Sequence, residues 1–152
     1  MADQYAVNHK KRHVTVPAKL TDVADQGGRM RVLYDKFTFS AGVALVHTGT
    51  ANTISFGKLP PGAKVWDASL HQSATLAGST TLALGITGTP AAFLVAAATT
   101  AVGTRHMREG VANITLAPVT ITSETTVIAT IGGATSTTTT AFVEVRILYT
   151  VD

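Results

Sequence analysis

Residues 141–151 narrow the folds open to this chain more than any other segment. Val143, Val145, Ile147, Tyr149 and Val151 alternate with Phe142, Glu144, Arg146, Leu148 and Thr150. Successive Cβ atoms of a strand point to opposite sides, so a period of two sorts these residues onto two faces. A helix would scatter both sets around its axis. The segment therefore reads as a β-strand with one apolar face. Glu144 and Arg146, two apart on the other face, read as a surface pair worth little energy.

Similar patterns recur along the chain. Met30 to Phe39 alternates, and Val43 to Val46 is a short apolar run. Ile54-Ser55-Phe56 precedes a Leu59-Pro60-Pro61-Gly62 turn, and Ala63 to His71 follows as a strand. In that strand Trp66, Ala68 and Leu70 share one face, which makes Trp66 a core residue. Thr81 to Ile86, Val111 to Leu116 and Thr125 to Ile131 supply further strands. Ala91 to Thr100, Ala-rich and opening after a Pro, reads as a short helical insertion. Ala134 to Thr140 reads as a hairpin loop. Many short strands with turns between them predict an antiparallel β-sandwich, and the strand number predicts the jelly-roll type.

Composition bears on what such a sandwich can do. Charged residues make up 14% of the 152 residues, against about 25% in an average soluble domain. Thr takes their place at 26 positions, with Ser at only seven. Thr is β-branched and hydrogen-bonds without charge. A Thr/Ala surface solubilises poorly but suits a face that neighbours cover, where buried charge is unfavourable. An uncharged exposed sheet is the plainer reading. No cysteine is present, which excludes disulfides, thiolate metal sites and a Cys nucleophile.

The positive excess sits at one end. Residues 1–36 carry seven Lys/Arg and four Asp/Glu, and the remainder carries five of each. Residues 1–29, broken by Pro17 and Gly27-Gly28, read as an extended N-terminal arm, and 30–152 as the sandwich domain. Lys10, Lys11, Arg12 and His13 are the candidate partner-binding residues of the arm. The run can be solvated or can dock on an acidic protein surface, with nucleic acid ranked third. No stretch resembles a signal peptide or reaches the roughly 20 apolar residues of a membrane span.

The sequence carries no signature of catalytic or metal chemistry. His9 and His13 suit a metal pair only on a helix, which Val14-Thr15-Val16-Pro17 opposes. No Gly-x-Ser-x-Gly elbow or phosphate-binding loop occurs. Asp67 and Glu144 suggest no acid/base pair. Arg105 to Glu109 reads as an exposed polar loop. The expectation is a protein with no enzymatic activity, cofactor or metal.

Leu59-Pro60-Pro61-Gly62-Ala63-Lys64-Val65-Trp66-Asp67-Ala68 resembles an opening strand found in small structural proteins of tailed bacteriophages. The likeness continues through Ala77-Gly78-Ser79-Thr80-Thr81, Leu82-Ala83-Leu84-Gly85-Ile86, Ala91-Ala92-Phe93-Leu94 and the valine-rich Val143 to Val151, covering residues 54–151. It implies a virion component, specifically a capsid decoration or cement protein on the shell exterior, assembled in the host cytoplasm. The implied partners are the major capsid protein and further copies of the chain as a trimer or dimer, with no membrane. A tail, head–tail joining or fibre-base subunit is the second expectation, and a carbohydrate-binding sandwich module the third.

Overall fold

A computed structural model describes residues 29–39, 52–76, 80–109, 118–133 and 141–151. The alternating C-terminal segment forms β9 (Phe142–Val151), and Val143, Val145 and Ile147 on its inner face are fully buried. β9 pairs along its whole length with β1 (Arg29–Thr38) on one side, and from Val143 to Thr150 with β3 (Lys64–Gln72) on the other. β6 (Gly103–His106) and the two-residue β7 (Val119–Thr120) complete this first sheet by pairing with β3. Its strand order is β1-β9-β3-β6.

A second antiparallel sheet has the order β2-β8-β4-β5, from β2 (Asn52–Leu59), β8 (Thr125–Gly132), β4 (Thr81–Ile86) and β5 (Thr89–Ala98). Leu82, Leu84, Val127 and Ile131 on its inner face meet Val65, Leu70 and Ile147 of the first sheet in one core. Burial of these side chains, at about 1.5–3 kcal/mol each, supplies the main drive to fold. The sheets come close where Leu33 of β1 lies over Gly57 of β2, with Cδ1 only 3.0 Å from where a Cβ on the glycine would sit.

The turn expected after Leu59 is present. Ala63 N–H donates to Pro60 O at 3.2 Å, and Gly62 has φ of 80°. Pro61 then Gly62 at the central positions is the chemistry of a type II turn, which needs positive φ at its third residue.

Three expectations are corrected. Ala91 to Thr100 is not a helix: most of it belongs to β5, which follows a turn through Gly88 (φ 88°) and pairs with β4. Alanine favours helix only weakly, and the hairpin buries Phe93 and Leu94 against the core. Adjacent strand residues face opposite ways, so burying both requires the register shift seen between Leu84 and Ile86. Trp66 is not core but 37% exposed. Pairing shifts by one residue between Val65 and Asp67, so Trp66 is the extra residue of a bulge; Val65 and Ala68 keep the inner face. Arg105 and His106 are not loop but the end of β6, opposite Leu70 and Ser69 of β3 in ladder register. The expected elements at 43–46, 111–116 and 134–140, and the arm up to residue 28, lie outside the described residues.

Candidate functional site

The two outer faces differ in chemistry. In β4, β5 and β8 no residue is charged, and β2 has only Lys58. Thr53 and Ser55 of β2 are exposed, and Thr130 faces Thr53 and Ala83 across the ladders. The charge-poor Thr/Ala body of the sequence is thus concentrated on the second sheet. At its rim Lys58 Nζ pairs with Glu124 Oε1 at 2.7 Å, and the carboxylate holds the ammonium pKa above its ordinary value.

The outer face of the first sheet is patterned. Glu144 sits at its centre, reached from three sides. The Tyr34 hydroxyl donates to Glu144 Oε1 at 3.0 Å, Lys36 Nζ lies 3.9 Å from the same oxygen, and Arg146 lies 4.0 Å from Oε2. Lys36 Nζ also stands 3.7 Å from the centre of the Phe142 ring, a cation–π contact. Hydrogen bonding to Glu144 raises the Tyr34 pKa above its ordinary value. Beside this cluster a shallow depression of about 340 Å³ is lined by Ser69, His71, Thr104, His106, Glu144 and Arg146. His71 Nδ1 and Thr104 Oγ1 share a hydrogen bond of 2.9 Å, and His106 Nδ1 lies 3.9 Å from Asp67 Oδ2.

Towards the other end the same face turns apolar. Met30 is 66% exposed, Val32 63% and Tyr34 53%, in a row on the outer side of β1. Leu148 lies opposite Val32, and Trp66 of the β3 bulge joins them through its indole N–H, which donates to Thr150 Oγ1 at 3.0 Å. Large apolar side chains in a row on an edge strand are what a soluble monomer usually avoids.

The far edge is closed by polar bridges. Arg105 reaches from β6 to the second sheet, donating to Leu82 O at 2.8 Å and to Val95 O at 3.3 Å. The guanidinium fork serves two carbonyls at once. Burial lowers the Arg105 pKa. Gln72, buried in β3, donates its side-chain amide to the carbonyls of Thr99 and Ala101.

Lys10, Lys11, Arg12 and His13 lie outside the described residues. Glu144 and Arg146 form the surface pair their spacing predicts. Tyr34, Lys36, His71 and His106 carried no sequence signal, because they reach Glu144 and the depression from three other strands. Among the described residues no three His, Asp or Glu side chains gather as a metal site, and no helix is long and apolar enough to cross a membrane.

No protein-family model and no curated sequence matches the chain. Solved structures do. A chain of the cyanophage Pam1 capsid asymmetric unit superposes with a TM-score of 0.63 at 20% identity, covering 83% of this chain and 87% of that one. A chain of the acid-stable capsid of Helicobacter pylori bacteriophage KHP30 gives 0.57 at 20% identity, covering 81% and 88%. A chain of the capsid of Ralstonia phage GP4 gives 0.60 at 18% identity, covering 88% and 92%. At these identities the likeness is one of fold.

Proposed function

We propose that the chain is a non-enzymatic structural protein of a phage virion, a decoration protein that reinforces the head by bridging major capsid proteins on its exterior. The observation that carries this reading is the recurrence of the fold in three phage capsids. In each the match spans more than four fifths of both chains, so the counterpart is itself a small protein of about this length. Strand order supports the same reading. With β7 set aside, the orders β1-β9-β3-β6 and β2-β8-β4-β5 are consistent with a jelly roll of two four-stranded sheets.

Surface chemistry is consistent with assembly. The charge-poor outer face of the second sheet, where Lys58 is already paired with Glu124, can be covered with little stranded charge, and the basic arm with Lys10, Lys11, Arg12 and His13 gives a separate foothold on a neighbouring subunit. Repeated weak contacts over a lattice add up through multivalency.

Purified particles tested by quantitative mass spectrometry and cryo-electron microscopy decide the matter. The expected result is a copy number in fixed ratio to the shell subunit, with density on the outer surface. Copies confined to the tail or neck, or absence from particles, would overturn it. Deletion of residues 1–16 is expected to leave a folded domain that co-sediments less with shells; undiminished co-sedimentation removes the arm from the binding role.

A further inference from the structure

β1 is a ten-residue edge strand that pairs with β9 without a register shift, and no described strand pairs with its other side. In an antiparallel ladder, residues that exchange hydrogen bonds with the partner alternate with residues whose N–H and C=O point away. Phe39 N–H donates to Ala141 O at 2.8 Å, continuing the β1–β9 register, so odd-numbered residues of β1 face β9. The backbone groups of Met30, Val32, Tyr34 and Lys36 therefore point to the free edge. The Lys36 N–H is bound by the side chain of its neighbour Asp35, at 2.8 Å.

We propose that this edge is a homodimer interface: β1 of one copy pairs antiparallel with β1 of a second about a two-fold axis at Leu33, joining two first sheets into one. A two-fold contact must be self-complementary, and the sequence Arg29-Met30-Arg31-Val32-Leu33-Tyr34-Asp35-Lys36-Phe37 is so about Leu33. Arg31 falls opposite Asp35 of the second copy, and Asp35 opposite its Arg31. Val32 falls opposite Tyr34, a β-branched residue against an aromatic one, a favoured cross-strand pair.

Backbone parity agrees. The residues with free N–H and C=O groups meet each other, Val32 with Tyr34 and Met30 with Lys36, as hydrogen-bonded pairs. Arg31 and Asp35 then form the non-hydrogen-bonded pairs, where side chains stand closest. Asp35 releases the Lys36 N–H to a carbonyl of Met30 and turns to Arg31. Neighbouring registers of the same parity are worse: a centre at Val32 sets Arg31 against Leu33, and a centre at Tyr34 sets Asp35 against Leu33. The exposed Met30 and Val32 gain cover on the outer face.

The inference needs no capsid, so it stands or fails separately from the decoration reading. Sedimentation equilibrium of the full chain is expected to give a dimer. Arg31→Asp sets carboxylates face to face at both ends, and Asp35→Arg does the same with guanidinium groups. Each is expected to weaken dimerisation roughly tenfold or more. Mixed in equal amounts, the two variants regain opposite charges at both ends and form a heterodimer. Val32→Pro removes an edge N–H without touching the β9 ladder and gives a monomer with an unchanged far-ultraviolet spectrum. A monomeric wild-type chain, a dimer that survives both reversals, or a mixture that stays monomeric overturns the proposal.

Discussion

The indole N–H of Trp66 donates to Thr150 Oγ1 at 3.0 Å, tying the bulged residue of β3 to the outer side of β9. Thr150 is buried, whereas the indole is 37% exposed. Thr150→Val removes the acceptor and keeps the shape. Its expected effect is a loss of about 0.5–1.5 kcal/mol in urea unfolding. Collisional quenching of the single tryptophan by iodide should already be measurable in the wild type.

Gly85 has no room for a side chain. A Cβ there would lie 2.5 Å from the carbonyl carbon of Pro90, which is backbone and cannot swing aside. Gly85→Ala is expected to destabilise the domain by roughly 3 kcal/mol or more. Thermal unfolding followed by circular dichroism reads this directly. Gly88→Ala, where a Cβ meets open space but φ is 88°, should lose only about 1 kcal/mol.

Arg105 ties the edge of the first sheet to the carbonyls of Leu82 in β4 and Val95 in β5. Arg105→Met keeps the aliphatic stem and removes both charge-assisted hydrogen bonds, an expected loss of about 1–3 kcal/mol. Arg105→Lys is expected to recover only part, since an ammonium lacks the planar fork. Equilibrium unfolding in urea ranks the three chains.

Tyr34 and Glu144 make a pH-dependent contact. The hydrogen bond to Glu144 raises the Tyr34 pKa, so the protonated phenol is favoured in the folded state. A raised folded-state pKa contributes stability that is fully present below the unfolded value near 10 and is lost as pH climbs through the folded value. Titration of tyrosinate absorbance should therefore include a component, from Tyr34, that ionises above the ordinary tyrosine value. In Glu144→Gln that phenol should ionise at lower pH. An unchanged titration in the variant would break the assignment.

Regular strands were legible in the sequence, and irregular ones were not. The faces of β9 could be read because its alternation runs unbroken from Phe142 to Val151. The alternating pattern puts Trp66 on the wrong face because a bulge adds one residue and inverts the phase, and nothing in Val65-Trp66-Asp67 announces it. β5 looked helical from its alanines, whereas its hairpin with β4 and the burial of Phe93 decide the matter. β6 is four polar residues long and is a strand only because β3 lies beside it. The Glu144 cluster was half visible: Arg146 is two residues away, but Tyr34 is separated by 110 positions. No local pattern encodes such a meeting.

Translation makes β9 after every other strand described here, yet β9 lies in the middle of the first sheet, between β1 and β3. A nascent chain that stops short of Phe142 holds two strands with a vacant lane between them and lacks Val143, Val145 and Ile147. Such a product cannot close its sheet, and its open edges mark it for aggregation or proteolysis. Folding is thereby gated by synthesis through residue 151. Any assembly that recognises the folded surface receives a built-in proofreading step against truncated subunits.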